Sequence, residues 1–328
     1  MGSGSWSADS FKTYTTSYKK MSLDDSGTRI RGTYSNQDNF KQKSIDSALD
    51  PREFDYRECC DSEEHPNTKP VILALDVTGS MGEAAMEVAK ELNVIMTDLY
   101  NDANCKDIQF CTMGIGDFYC DRSPLQVSQF ESDIRIAEQL DKIYFEFGGG
   151  GNDYESYTGS WIFGLTRCKL DCYDKRGKKG LIITIGDEKI NPYIDIDEWS
   201  AKAMNFNAEM QDKKLYTDVK YLYEKASEKF EIYHIHVKHG RFHSRSSMDG
   251  YATSCVESFR EVLPSQHVMY IEDTSELADK IKDIVIEYCK NLATDSASVL
   301  ASGSNPVEEP IIGSDSNIQR DENGMITW

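Results

Sequence analysis

Residues 71–83, VILALDVTGSMGE, join an aliphatic run to a group of oxygen-bearing side chains. The first five residues form a short, continuous apolar run, which is typical of a strand covered on both faces. Asp76, Thr78 and Ser80 follow this run at alternate positions. In open α/β sheets, ligands bind at the carboxyl ends of the strands. The stretch therefore predicts a central strand that ends in a binding site.

Aliphatic runs that predict strands alternate with amphipathic stretches that predict helices. The predicted strands are 71–75, 107–117, 124–130, 180–188, 231–237 and 267–273, and the predicted helices are 83–99, 132–143, 155–168, 197–230, 251–262 and 275–290. The run 124–130 follows its predecessor closely, so we expect it to form an antiparallel edge strand. The alternation predicts an α/β fold with a doubly wound, mainly parallel sheet and helices on both faces.

Composition divides the chain into three parts. Residues 1–70 are polar and show no sustained period, which predicts a partly disordered N-terminal arm. Residues 71–292 carry the alternating pattern of the α/β domain. Residues 293–328 are rich in Ser, Gly, Asn and acidic residues, which predicts a flexible acidic tail.

The chain of 328 residues has 56 acidic and 36 basic side chains and a net charge of -20. Such a charge repels nucleic acid and anionic membranes, so we expect neither as a partner. No apolar run has the length of a membrane span, and the first residues have no signal-peptide core. The nine cysteines lie mostly within apolar patterns and have no zinc-site spacing. We therefore expect reduced thiols and a cytoplasmic protein.

Asp187 ends another predicted strand, so it should meet Asp76, Thr78 and Ser80 at one edge of the sheet. The glycine-rich stretch 148–155 should reach the same edge. Two carboxylates and two hydroxyls suit Mg²⁺, with Mn²⁺ or Ca²⁺ as alternatives, better than zinc or copper. Helix capping would explain Asp76 alone, but it does not explain all three loops. The pattern predicts a metal site that keeps positions for water or for a partner's oxygen.

Three classes of enzyme with related motifs are excluded. An aspartic protease needs Asp-Thr-Gly, which Val77 interrupts here. A phosphatase of the haloacid dehalogenase type needs a second acid at position 78, where this chain has Thr78. A P-loop needs Gly-Lys-Ser/Thr at the end of its glycine run, and the sequence has none.

The sequence LDVTGSM, residues 75–81, resembles the metal-ion-dependent adhesion site (MIDAS) of von Willebrand factor type A (VWA) domains. The motif of that family is Asp-x-Ser/Thr-x-Ser. The sequence TIGDE, residues 184–188, resembles the aspartate that follows the family's fourth strand. The resemblance covers about residues 71–292, and the order of the predicted elements agrees with it. Together these motifs imply a VWA/Rossmann-like fold.

The sequence GGGGNDYES, residues 148–156, resembles the VWA loop that usually supplies a metal-facing Thr, but it has no Thr. It is similar to the variant Gly-Gly-Gly-Asp-x-x-Glu of hemicentin-like VWA domains. That variant places Asn152 at the Asp position and Glu155 at the Glu position, with Asp153 as the neighbouring alternative. Which of the three faces the metal is left open by the sequence.

The resemblance also implies a mechanism of binding. A divalent ion would be held by Ser80, Thr78 and the water-bridged Asp76 and Asp187, and an Asp or Glu side chain of a partner protein would complete its coordination. Several intracellular VWA proteins work with AAA+-type ATPases, so such an ATPase is an expected partner. The runs MGIGD and PLQVSQFE resemble a motif of stand-alone VWA proteins of bacteria or phages.

The run YHIHVKHGRFH contains His234, His236, His239 and His243. The first two share a strand face, so a transition-metal site is conceivable. No Cys or acid lies at ligand spacing, however, so we expect histidines that pack within the strand. His239 should lie at the edge of the sheet that carries the metal loops. Asp117 is expected to form a tight turn, with an accessory cation site as the alternative.

Three functions are compatible with these residues. The favoured function is a divalent-metal-dependent protein-binding module without catalysis. A metal-dependent hydrolase would need a general base and an activated nucleophile, and the sequence shows no such arrangement. A scaffold subunit with a degenerate metal site is the third function, and the intact Asp76, Thr78 and Ser80 argue against it.

Overall fold

The computed structural model describes residues 4–18, 23, 28, 42–146, 152–203, 212–238 and 245–302. The chain divides into a compact unit, Met1–Leu292, and a second unit, Ala293–Trp328. No helix in these described ranges is long and apolar enough to cross a membrane. The three-part division that composition predicts stays a prediction.

The described residues form the following strands and helices. The strands are β1 Arg57–Cys59, β2 Lys69–Asp76, β3 Ile108–Ile115, β4 Leu125–Val127, β5 Tyr154–Glu155, β6 Cys168–Leu170, β7 Gly180–Gly186, β8 Lys189–Ile190, β9 Phe230–Val237 and β10 Val268–Ile271. The α-helices are α1 Ala8–Thr13, α2 Gly82–Asn101, α3 Arg135–Leu140, α4 Thr158–Arg167, α5 Asp171–Arg176, α6 Ile196–Lys202, α7 Lys214–Thr217, α8 Val219–Lys229, α9 Arg245–Arg260 and α10 Leu277–Ser302.

The main sheet has six strands in the order β10-β9-β7-β2-β3-β4. All neighbouring pairs are parallel except β3 and β4, which are antiparallel. The predicted α/β fold class is therefore confirmed, including the antiparallel edge strand. The two-strand pairs β1-β6 and β5-β8 are separate from this sheet.

Alternate residues of the central strands pack into two different hydrophobic cores. In β2, Val71, Leu73 and Leu75 face the core that also contains α2 and α10. Ile72 and Ala74 face the opposite core, which contains α4, α8 and α9. Because successive strand side chains point to opposite faces, a continuous apolar run is what a doubly covered strand requires.

Part of the segment before residue 70 belongs to the first core. Trp6 and Phe11 are buried there, and Trp6 Nε1 donates a hydrogen bond to Asn93 Oδ1 of α2 at 3.3 Å. The short strand β1 pairs with β6, in register from Arg57 opposite Cys168. These contacts depend on a few isolated apolar residues within a polar stretch, which periodicity does not detect.

The predicted helix over residues 197–230 is wrong as one continuous element. The described residues show three shorter helices, α6, α7 and α8, and residues 204–211 lie outside the described part of the chain. Asp218 interrupts the helix because its backbone is extended, with φ -138° and ψ 99°. Its side chain accepts hydrogen bonds from Lys220 N and Tyr221 N, so it caps α8 instead of continuing α7.

Candidate functional site

Four side-chain oxygens form a connected group past the ends of β2 and β7. Thr78 Oγ1 donates to Asp76 Oδ1 at 2.6 Å and lies 3.3 Å from Ser80 Oγ. Ser80 Oγ donates to Asp187 Oδ1 at 3.1 Å. We call Asp76, Thr78, Ser80 and Asp187 the oxygen cluster. The structure thus brings together the four residues that the motif and the strand end predict.

Local backbone geometry explains why these oxygens face one way. Asp76 is the last residue of β2, and Val77 N continues the ladder by donating to Ile115 O at 2.8 Å. Val77 is buried in the first core, so its neighbours Asp76 and Thr78 point away from that core. Ser80 lies in the 3₁₀ turn Gly79–Met81 that leads into α2.

The cluster is buried at its acids and open at Ser80. Asp76 and Asp187 are 0% and 2% exposed, whereas Ser80 is an exposed residue. Burial raises the pKa of Asp76 to about 8, and the carboxylate of Asp187 adds to this increase. Hydrogen bonds from Thr78 and Tyr157 favour the ionised form without cancelling the effect. A cation placed among these oxygens would relieve the cost of the buried charges.

Tyr157, which the sequence analysis did not identify, is the fifth member of the arrangement. Its hydroxyl donates to Asp76 Oδ2 at 2.9 Å and accepts from Glu188 N at 3.3 Å. It therefore links the loop after β2 to the loop after β7. Gly186 makes room for it, because a Cβ at that position would lie 1.8 Å from the Tyr157 hydroxyl. A Tyr at a helix start opposite a strand-end Gly was the available signal.

The loop with three candidate ligands places them in three different surroundings. Glu155 is 6% exposed and pairs with Ile190 across β5 and β8, which brings it toward Asp187. The side chain of Asp153 is 71% exposed and lies 3.9 Å from Lys189 Nζ. Asn152 Nδ2 donates to Asp117 Oδ2 at 2.9 Å. Glu155 alone of the three is buried.

Glu155 carries an unusual pKa. Burial, followed by repulsion from Asp76, Asp121 and Asp117, raises its pKa to about 11. Its Oε2 atom is buried and has no hydrogen-bond partner among the described residues. Burial and neighbouring carboxylates are the influences that raise the pKa of both Glu155 and Asp76, and no basic group of the described chain counters them. The site is thus acidic and short of positive charge.

The donor set fits a hard divalent ion held by few direct ligands. In the described part of the chain, no group of three or more His, Cys, Asp or Glu side chains could hold a metal. Two carboxylates with two hydroxyls are not such a group, and Glu155 lies beside the oxygen cluster rather than within it. Mg²⁺ keeps several waters in sites of this kind. The predicted glycine approach at 148–150 lies outside the described residues.

Asp117 and Asp121 form hydrogen bonds within their own loop. Asp117 Oδ1 accepts from Tyr119 N at 2.9 Å, and Asp121 Oδ2 accepts from Asp117 N at 2.8 Å. Burial, Glu146 and Asp117 raise the pKa of Asp121 to about 6, against a smaller lowering by a backbone hydrogen bond. These contacts are those of the expected tight turn.

His234 and His236 are buried in β9 and surrounded by aromatic rings. The ring of His234 stacks on Phe259 at 3.4 Å between centroids, and its Nδ1 lies 2.9 Å from Thr184 Oγ1. His236 stacks on Tyr270 at 6.0 Å. Burial lowers the pKa of His234 well below its usual value, so this ring is neutral. His239 and His243 lie outside the described residues.

Comparisons with known proteins give structural likenesses only. No protein-family model matches the chain, and no curated protein matches its sequence. The pilus adhesin SpaC of Lactobacillus rhamnosus GG, in its open conformation, is similar over 70% of this chain and 31% of its own, with 11% identity and a TM-score of 0.44. Proximal thread matrix protein 1 of the mussel byssus, described with a zinc-occupied MIDAS motif, is similar over 71% and 47%, with 13% identity and a TM-score of 0.40.

A second crystal form of the mussel protein is similar over 69% of this chain and 49% of its own, with 12% identity and a TM-score of 0.39. The chain thus spans between about a third and a half of the length of these proteins. At these identities and TM-scores the likenesses carry no argument about function. The fold follows from the strand order and register, and the site follows from its own contacts.

Proposed function

We propose that this chain is a divalent-metal-dependent protein-binding module that captures a partner's carboxylate. One observation carries the proposal: Asp76, Thr78, Ser80 and Asp187 form a connected chain of oxygens at the carboxyl edge of the sheet. Two loops far apart in sequence supply these oxygens. The VWA resemblance of the three motifs supports the same function, as does the resemblance to stand-alone bacterial or phage forms.

The chemistry of the oxygens favours Mg²⁺, with Mn²⁺ or Ca²⁺ as alternatives. Four protein oxygens leave an octahedral ion with open positions. Ser80 is the exposed member, so a partner's Asp or Glu side chain would approach from that side. The negative charge of such a side chain, together with the two buried acids, balances the ion.

We propose a role without catalysis. A hydrolase would need a nucleophile held by a base and a third orienting group, and the contacts of the oxygen cluster do not form that arrangement. The scaffold function requires a degenerate site, which the intact cluster disfavours. An AAA+-type ATPase as partner and a cytoplasmic location stay predictions from the VWA resemblance and from the nine free cysteines.

The metal step is tested by calorimetric titration of Mg²⁺ and Mn²⁺ into the wild type, Asp76→Asn and Asp153→Asn. We expect one ion to bind to the wild type and to Asp153→Asn, because Asp153 is exposed and outside the cluster. Affinity should fall at least ~100-fold in Asp76→Asn, since even indirect partners of a metal contribute 10–100-fold. Wild-type affinity in Asp76→Asn, or no binding to the wild type, would refute the metal site.

The carboxylate step needs a separate probe. The peptides acetyl-Gly-Asp-Gly-amide and acetyl-Gly-Asn-Gly-amide differ only in charge and one donor group. With Mn²⁺-loaded protein we expect paramagnetic broadening of the NMR signals of the Asp peptide alone, and Ser80→Ala should weaken it. Equal broadening of both peptides would show that the ion does not select a carboxylate.

A further inference from the structure

A small cavity adjoins the oxygen cluster on the side of Glu155. Its volume is about 240 Å³, and Tyr154 and Ser156, which flank Glu155, are among its lining residues. Sites for small molecules usually have volumes of roughly 300–1,000 Å³. The cavity is therefore of a size for one side chain of a partner rather than for a cofactor.

Exposed tyrosines are concentrated at this cavity. Tyr119, Tyr154 and Tyr193 line it, with exposed fractions of 43%, 38% and 51%. Within the described ranges only one other large hydrophobic side chain, Tyr270, is equally exposed. Large aromatic side chains left exposed together mark binding surfaces. We call this cavity the tyrosine pocket.

Two of the rings form a fixed corner. The rings of Tyr119 and Tyr193 are 6.2 Å apart between centroids and lie at 82° to each other. Tyr119 N donates to Asp117 Oδ1 at 2.9 Å, and Asn191 Nδ2 donates to Tyr193 O at 3.1 Å. The lining residues thus hold the backbone of both tyrosines, which lowers the entropic cost of binding.

The electrostatics of the pocket favour a cation. The faces of the rings are negative, and the carboxylate of Asp117 is part of the lining. Among the described residues that line it there is no Lys or Arg. Lys189 Nζ lies 6.0 Å from the Tyr154 ring and 3.9 Å from Asp153 Oδ2, so Tyr154 already has a cation nearby. Tyr119 and Tyr193 are the rings left for an incoming charge.

We propose that the tyrosine pocket receives a Lys or Arg side chain of the partner protein. On the proposed function, the same partner presents its acid to the metal, so its binding segment would carry an acidic and a basic residue close together. The cation pocket itself does not require the metal. The net charge of -20 also favours a basic segment over an acidic or neutral one.

The test uses N-acetyl-lysine methylamide and its uncharged counterpart, N-acetyl-norleucine methylamide, in saturation-transfer NMR with EDTA present. We expect the lysine probe to bind and the norleucine probe to bind several-fold more weakly. Tyr193→Ala should weaken the lysine probe by about 2- to 30-fold, the range of a cation–π contact. Tyr193 is half exposed, so its loss leaves the fold intact.

Two control variants separate this inference from the metal site. Tyr270→Ala removes the exposed tyrosine outside the pocket and should leave binding of the lysine probe unchanged. Ser80→Ala should also leave it unchanged, so a failed metal site and a failed tyrosine pocket give different results. Equal binding of both probes, or lysine binding that survives Tyr193→Ala, would overturn the proposal.

Discussion

Two groups of buried polar residues lie at nearly the same height on neighbouring strands, and their surroundings are opposite. The oxygen cluster includes Asp187, which follows Gly186 of β7. His236 of β9 is the residue paired with Gly186. The acids meet hydroxyls and have an exposed member, Ser80. His234, by contrast, is fully buried against Phe259.

The difference shows that position relative to the strand end matters more than residue type. Within a parallel strand, side chains face helices that cover the sheet, so His234 and His236 are packed as rings. Past the strand end, the loops turn away from the helices, and polar atoms of several loops meet. Histidines are the commoner metal ligands in general, yet here the carboxylates and hydroxyls have the geometry for an ion.

Tyr157 touches both groups, so its removal should have the largest effect on the contrast between them. It donates to Asp76 Oδ2, and its ring lies 5.3 Å from that of His234. We expect Tyr157→Phe to lower the affinity for Mg²⁺ by about 10- to 100-fold, because partners that orient metal ligands contribute that much. Calorimetric titration measures the change.

The matched control is Tyr288→Phe. Tyr288 is also buried, and its hydroxyl donates to Lys179 O at 2.8 Å, within the other core. Both variants should lose about 1 kcal/mol of unfolding free energy, the usual net value of a hydrogen bond. Only Tyr157→Phe should change the affinity for Mg²⁺, and equal affinities in the two variants would show that Tyr157 does not position Asp76.

The dependence of stability on pH sharpens the contrast at Asp76. Its pKa is about 8 in the folded metal-free protein and near 3.8 in the unfolded chain. Between those values the folded state holds a proton that the unfolded state has lost, so the free energy of unfolding falls as pH rises. One such group contributes at most about 1.4 kcal/mol per pH unit. Urea unfolding between pH 4 and 8 measures the slope.

Asp76→Asn should remove this part of the slope, because the amide does not titrate. Saturating Mg²⁺ should oppose the fall in the wild type, since the ion binds the ionised carboxylate and releases its proton. The gain in stability from Mg²⁺ should therefore grow from pH 5 to pH 8. Identical slopes for the wild type and Asp76→Asn without metal would contradict a raised pKa at Asp76.

The histidines should show the smallest effect on metal binding, which is none. His234→Leu removes the hydrogen bond with Thr184 and is expected to cost about 1 kcal/mol of unfolding free energy. The affinity for Mg²⁺ should stay at the wild-type value. Zn²⁺ that stabilises the wild type but not His234→Leu would show instead that the histidines form a metal site.

Much of the site could be predicted because its chemistry is local in sequence. Asp76, Thr78 and Ser80 lie within five residues, and Asp187 follows a strand of clear apolar pattern. Parallel strands place these ends on one edge, so fold class and site were linked. The expectation that His234 packs within its strand rests on the same pattern.

The rest depended on contacts that no period reveals. Tyr157 bonds to Asp76 over a separation of 81 residues, and only the space left by Gly186 allows it. The pair β5-β8 has two residues in each strand, too few for an alternating pattern. That pair nevertheless buries Glu155 while leaving Asp153 exposed, a choice that the sequence left open.

The most direct test of the metal site is a crystal of the wild type soaked in Mn²⁺, with data collected for anomalous scattering. The account predicts one strong peak about 2.0–2.3 Å from the hydroxyl oxygens of Thr78 and Ser80. The peak should be absent from crystals of Asp76→Asn. A peak at His234 and His236, or no peak at the oxygen cluster of the wild type, would contradict it.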